Sequence, residues 1–439
     1  MTRRAVSLSL AATLLAAALP AATSGAAGAK PKKPAILRVC KAGKPSGKPC
    51  YARIQAAVAK AKAGDSVRVG HGVWRESVRI AGKAKRGIKL IGDPESPGKV
   101  VLDGRGLSGP AGLDAVTVDG ADDVRIDGFR ARGYRRNGFL VKGVEGYTLT
   151  HLEARSDGAH GISVVGSQGG TIRDSDASFH GEAGFHVAGT PPSRSARPVR
   201  TLITNVRAWG NAVGFLGANM SDARLQNSEF FNNGLGIVVH STPAARHAPP
   251  RNVELVGNEV FWNNFNFYAA APFKPARPAG FSYPVGAGIV LLGAREHTLD
   301  GNRIYGHYLI GLAVARAPRA SGGGQPEDVE ALNNELGLGG ADRNGRDILY
   351  DGSGAVNCFQ ENETRSPTVP ASSAVFTPCD IPKQPNAPDA EAAAAIAEWT
   401  APEPPGEASW ITGPHQSQPG REPLERCTVR GPVCAGQPG

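Results

Sequence analysis

Aromatic side chains are scarce in this chain, at 6% of residues. They are not interleaved with basic residues, so a stacking platform for nucleic acid is excluded and no nucleic-acid partner is expected. A long apolar run occurs once, from Ala5 to Leu19. It is too short and too rich in alanine for a stable membrane span, and no second run follows, so the chain is not expected to span a membrane. The six cysteines contain no CxxC spacing, which argues against a metal knot or a redox couple. An HExxH pair, a Walker loop and a calcium-binding nonapeptide are also missing, so no cofactor is expected from motifs.

The apolar run is preceded by Arg3 and Arg4 and followed by small residues ending at Ala27-Gly28-Ala29. That pattern is a secretory signal peptide over 1–29, cleaved after Ala29; Thr2-Arg3-Arg4 leaves the twin-arginine route open beside the general one. A secreted destination, extracellular or in the cell envelope, suits the cysteines. They fall into local couples, Cys40 with Cys50, Cys358 with Cys379 and Cys427 with Cys434, readable as disulfide staples near the chain ends. Net charge is +10, and twelve of the fifteen lysines lie between Lys30 and Lys99. This basic segment, assigned to 30–52 and the start of the next domain, suits an anionic polymer such as an acidic glycan; a solvated end cap is the plainer alternative.

A short phrase then recurs: glycine, apolar, any, apolar. It stands at Gly138-Phe139-Leu140-Val141, Gly161-Ile162-Ser163-Val164, Gly184-Phe185-His186-Val187, Gly214-Phe215-Leu216, Gly236-Ile237-Val238-Val239, Gly288-Ile289-Val290-Leu291 and Gly311-Leu312-Ala313-Val314. Several spacings are 22 or 23 residues. The longer ones carry insertions (Thr190 to Pro198, Ser241 to Pro250, Ala269 to Pro284, Arg316 to Pro326) expected at one phase of the repeat. Two further short alternating runs fall between phrases, so each unit supplies three strands, too short for helices. Asn205, Asn227 and Asn302 each precede the next phrase glycine by nine residues and are expected at sharp corners, with stacked amides. Stacking such units gives an all-β, single-stranded parallel β-helix over 53–365. Phe139, Ile162, Phe185, Phe215 and Ile237 should form its core. Ile54 to Lys62 reads as a capping helix, and 366–439 as an irregular Pro/Ala-rich tail in which Asp389 to Glu398 can be helical. A monomer is expected.

These residues resemble the right-handed parallel β-helix proteins of the pectin-lyase-like superfamily. "IQAAVAKAKAGDSVRVGHGVWRESVRI" and "IKLIGD" are similar to its capping helix and first coils, and the resemblance covers Ile54 to Asn362. It implies a polysaccharide partner and, among the superfamily's activities, a lyase, a hydrolase or an epimerase. His160-Gly161-Ile162-Ser163 is similar to the Gly-His-Gly motif of polygalacturonases, but Ala159 precedes it and no Arg-Ile-Lys follows. The Asp-Pro-His of alginate epimerases is absent too. Taking the residue after each phrase glycine as inward, the outward positions from Leu140 to Ala315 hold no Asp or Glu, which disfavours hydrolysis by paired carboxylates.

What remains is a crowded corner. Coil stacking at 23 residues sets Asp157 beside His180 and His160 beside Ala183, with Glu182 and His186 at the edge and Arg135 and Arg136 one coil earlier. Imidazole is a base near neutral pH and arginine pairs with a uronate carboxylate, so these seven residues suit proton abstraction beside a carboxylate, the first step of a lyase or epimerase. Two histidines and a carboxylate would also suit a divalent metal ion. The alternative to an enzyme on an acidic polysaccharide is a non-catalytic extracellular binding or surface-structural protein whose corners are simply polar. Mass mapping of secreted, unreduced protein should show a chain beginning at Lys30 with three local disulfides; free thiols throughout would contradict that reading.

Overall fold

In the computed structural model the described residues are 33–41, 50–191, 199–242, 247–265, 284–318, 324–339, 342–371, 375–380 and 388–399. The signal segment, Cys427 and Cys434 lie outside them, as does part of each insertion. The strands form two parallel stacks, one of 19 strands and one of 10. The 10-stranded sheet carries the glycine phrases. Phe139, Ile162, Phe185, Phe215, Ile237, Ile289 and Leu312 occupy one register column in it and are fully buried. The 19-stranded sheet supplies two legs of each coil, separate in Ser221–Gln226 and Glu229–Phe231 and merged in Glu145–Arg155, which bends at His151 with φ 50°. Three segments per coil and an all-β, right-handed parallel β-helix follow. The phrase glycines sit where strands crowd: a Cβ on Gly161 would lie 2.6 Å from His180 Nε2.

The cap is as expected in kind and differs in extent. The helix spans Ile54–Lys60, with Ile54, Ala57 and Val58 buried on the first coil. The coils begin before residue 53, because Ile36–Val39 pairs with Ser66–Val69 and with Cys50–Tyr51. Cys40 and Cys50 are disulfide-bonded there, and Cys358 and Cys379 are bonded at the other end. In the tail, Val369 bonds to Ile348 and Tyr350, and the helix Ala390–Trp399 buries Ala392, Ile396 and Trp399. Those three join an apolar cluster with the outward residues Leu216, Val238, Val290, Ala313 and Leu349 of the 10-stranded sheet. The tail thus covers part of a face that would otherwise expose apolar surface to water. The insertions do not share one phase: three follow a strand of that sheet, whereas Ala269 to Pro284 leads into one, Ala287–Leu292.

The corners are held by side chains that stand in for backbone partners. Asn233 is fully buried: its Nδ2 donates to Ala208 O, Phe231 O and Asn263 Oδ1, and its Oδ1 accepts from Asn211 N and Nδ2. The same column reads Asp157, His180, Asn211, Asn233, Asn263, His307 and Asn344, each rung accepting from the backbone N–H of the one before. A second ladder joins Asn258, Asn302, Asn334 and Asn362. Of the three expected corner asparagines, Asn302 is a rung. Asn205 and Asn227 instead stand one position earlier in the coil with φ 51° and 47°, so they turn the chain outside the buried ladder, and Asn205 Nδ2 donates to Asp174 Oδ1 one coil earlier.

His180 and His307 replace asparagine in this ladder. Each accepts through Nδ1 and donates through Nε2 to a backbone carbonyl, Ala154 and Val260 respectively. Burial pushes both down to about 3, so both stay neutral. The unfolded histidine titrates near 6.5, so the neutral rung contributes stability that is complete above 6.5 and is lost as pH falls toward 3. His307→Asn keeps the acceptor and the donor and removes that linkage. It should be nearly neutral at pH 8 and, relative to the parent, gain about 2 kcal/mol at pH 5. His307→Ala should cost about 2 kcal/mol or more at pH 8, because it orphans buried amides, and about 2 kcal/mol less at pH 5, because it too removes that linkage. Denaturant melts at the two pH values check this.

Candidate functional site

The seven corner residues divide into two groups. Asp157 and His180 point inward as ladder rungs and are 1% and 0% exposed. Asp157 Oδ1 accepts from Tyr134 N at 2.8 Å, and burial pushes its carboxyl well above the usual range. A protonated carboxyl has one acceptor and one donor, the pair an asparagine rung offers. Asp157 and His180 are 3.7 Å apart and face no solvent, so the expectation that they take part in chemistry gives way to a structural role. Arg135 turns to Gly109 O, away from the histidines.

His160, Glu182 and His186 do converge. His160 Nδ1 donates to Asn137 Oδ1 at 3.0 Å, and Asn137 in turn donates to Asp114 Oδ1 at 2.6 Å. His160 Nε2 lies 3.2 Å from Glu182 Oε2, close enough for an ion pair though not aligned as a hydrogen bond. The His186 ring stacks on His160 with centroids 4.2 Å apart and planes 10° apart. Ser163, one coil earlier in the same outward column, meets His186 Nδ1 at 3.0 Å. Burial holds His186 well below the normal imidazole range, and the neighbouring His160 and His240 act in the same direction. His240, at the far end of Leu235–His240, is lowered to about 4 by burial and touches Thr242 Oγ1. The result is a group of two stacked imidazoles, a carboxylate and a hydroxyl on the 10-stranded sheet, with His240 two coils on and two residues farther along.

Strand register explains the grouping. Asp114, Asn137, His160 and Ala183 are direct partners on successive coils, as are Ser163 and His186. Arg136, Ala159 and Glu182 follow one another at the adjoining turn through Ala159 N to Arg136 O and Glu182 N to Ala159 O. Arg136 lies 3.7 Å from Asp114 and is half exposed, facing the same side. The sequence pointed to His160, Glu182, His186 and Arg136 but missed Asp114 and Asn137. The outward face lacks carboxylates from Leu140 onward, yet one coil earlier Asp114–Asp119 pairs with Asn137–Lys142 and brings Asp119 beside Arg79 and Lys142, at 2.7 and 3.2 Å. That strand has Ala115 where the others have the phrase glycine, so the repeat alone did not mark it.

Among the described residues no group of three or more His, Cys, Asp or Glu side chains is placed to hold a metal ion, so a divalent cation at this corner has no support. No helix among them is long and apolar enough to cross a membrane.

Comparison with known proteins bears on the architecture. The family described as right handed beta helix region matches residues 114–304. No curated protein matches the sequence. Similar solved structures include the mannuronan C-5 epimerase AlgE4 A-module of Azotobacter vinelandii, 17% identical, covering 72% of this chain and 92% of that one, with a TM-score of 0.49. An alginate lyase from Paenibacillus is 16% identical, covering 72% and 94%, with a TM-score of 0.40. Pectate lyase Pel9A is 15% identical, covering 75% and 77%, with a TM-score of 0.40. From its strand stacking and the match over 114–304, this chain is built as a right-handed parallel β-helix.

Proposed function

We propose that this protein is a secreted enzyme acting on an acidic polysaccharide, as a lyase or epimerase, at the corner of His160, Glu182 and His186. The observation that carries the reading is the stacked imidazole pair with a carboxylate 3.2 Å from one ring. Several of the similar structures are named as alginate or pectate lyases and uronan epimerases, which agrees with this substrate class.

The chemistry needs a neutral base, an acid and a cation for the uronate carboxylate. His186 supplies the base: burial keeps it neutral, and Ser163 fixes its ring through Nδ1. An arriving carboxylate raises the basicity of an imidazole beside it, so the substrate itself brings His186 toward a useful range. His160, beside Glu182 and stacked on His186, is set to deliver a proton from the same side as the base. In a lyase that proton goes to the leaving glycosidic oxygen as the C4–O bond breaks, a syn elimination; in an epimerase the proton returned to carbon comes from a donor on the other face of the sugar. Arg136, half exposed at the turn that leads to Glu182 two coils on, meets the carboxylate.

A binding protein without chemistry is the second reading. It is favoured by Asp157 and His180, which show that polar residues at these corners serve as structural rungs.

Incubation with pectate, alginate, hyaluronan and heparin, followed by ultraviolet absorbance of unsaturated uronates and by proton NMR of the uronate ring, separates the readings. One glycan should change. His186→Ala and Glu182→Gln should lower the rate by 100-fold or more, about the contribution of an acid or base, with thermal unfolding unchanged. No change in any glycan, or equal rates in the variants, would contradict catalysis at this corner.

A further inference from the structure

Between residues 34 and 99 the chain has fifteen lysines and arginines and four carboxylates. Three of those carboxylates are engaged by backbone amides. Asp65 accepts from Ala35 N and Lys62 N, at 2.7 and 2.8 Å. Glu76 accepts from Ile54 N and Gln55 N at the start of the capping helix, at 2.9 and 3.1 Å. Asp93 accepts from Glu95 N and Ser96 N, at 3.1 and 3.0 Å, and meets His71. Some cations have equally definite structural work. Lys85 Nζ donates to the carbonyls of Val58, Ala59 and Ala61 where the capping helix ends, and Arg79 and Arg86 pair with Asp119 and Asp123.

Arg38, Arg68 and Lys89 are different. They are exposed on the outer side of Ile36–Val39, Ser66–Val69 and Lys89–Ile91, and among the described residues no carboxylate pairs with them. Register sets Arg38 directly opposite Arg68, and Lys89 directly opposite Arg125. Adjacent strands are about 4.8 Å apart, so cation stands on cation twice over, an arrangement that costs stability. Arg125 alone of the four has a partner, Asp127 at 2.6 Å. Farther along the same sheet Arg132 is opposite Arg155 and Arg251 opposite Arg295, but Arg132 and Arg295 each hold a carboxylate, Asp103 and Glu327, and Arg224 opposite Glu254 and Arg303 opposite Glu335 are ion pairs.

We propose that Arg38, Arg68, Lys89 and Arg125 form a docking surface for an acidic polysaccharide, on a different sheet from the histidine corner. The two cation pairs, offset from each other by two residues along the strands because Arg68 is opposite Ile91, span four coils, about 14 Å along the axis, so a chain bearing repeated carboxylates or sulfates satisfies them better than a single small anion. The choice of polysaccharide among polyanions rests on the function proposed above; the cation pairs do not.

The test is binding to immobilised polygalacturonate and heparin, with duplex DNA and phosphatidylglycerol vesicles as the competing polyanions. The full protein should bind one of the two glycans more tightly than DNA or vesicles, and binding should weaken as salt rises. The triple variant Arg38→Gln, Arg68→Gln, Lys89→Gln should bind at least about tenfold more weakly, with a shallower salt dependence and no loss of thermal stability, since it removes like-charge stacking. A control removing equal charge from later coils, Arg251→Gln, Arg295→Gln, Arg346→Gln, should bind as the parent does. His186→Ala should bind normally whatever it does to turnover, so this surface and the reaction at the corner fail independently. Unchanged binding by the first triple variant, equal loss in the control, or tighter binding to DNA or vesicles would overturn the proposal.

Discussion

Every coil of this solenoid must turn three corners, and each corner leaves backbone amides that no strand ladder can reach. An unmet buried amide costs roughly 1–3 kcal/mol, and the cost recurs at every coil. The buried rungs resolve it by lending one acceptor and one donor per coil, so that Asn233 alone satisfies groups on its own coil and on both neighbours. The core columns and the sheet register depend on those corners holding the same phase from coil to coil. The site depends on them too, because His160, Glu182 and His186 meet only while Asp157, His180 and Asn211 keep three coils aligned.

The corner therefore carries two kinds of histidine with opposite meaning. His180 is chemically an asparagine: buried, neutral and bonded at both nitrogens. His160 and His186 are set on the outer edge of a strand, where one is paired to a carboxylate and the other to a hydroxyl. Residue type and proximity in sequence do not separate them. Three residues of phase around a turn do, because the turn sends one side chain inward and the next ones out.

That distinction also marks how far the sequence could be read. The period of 22 or 23 residues and the alternation after each glycine were enough for the fold, the core column through Phe139 and Phe215 and the capping helix, since each is a local pattern repeated many times. The rungs were less legible. Their identity changes from Asp157 to His180 to Asn211, and insertions stretch the spacing from Asn263 to His307 to 44 residues. Asp114 and Asp119 escaped notice because their strand has no phrase glycine, and the early start of the coils at Ile36 because a two-strand pairing leaves no repeat to find. The apolar outward stack was visible in the sequence, and the tail helix that buries part of it through Trp399 and Ile396 gives it a physical reason.

The central claim is that protons move between carbon and the histidine corner. The most direct measurement is deuterium incorporation at the carbon next to the uronate carboxylate, by NMR or mass spectrometry, when the protein and an acidic glycan are incubated in heavy water. This registers epimerisation as exchange and elimination as loss of the same hydrogen. The account expects exchange or elimination with the parent protein and its absence in His186→Ala of unchanged fold. An unaltered carbon-bound hydrogen in every acidic glycan, or the same exchange in the variant, would contradict it.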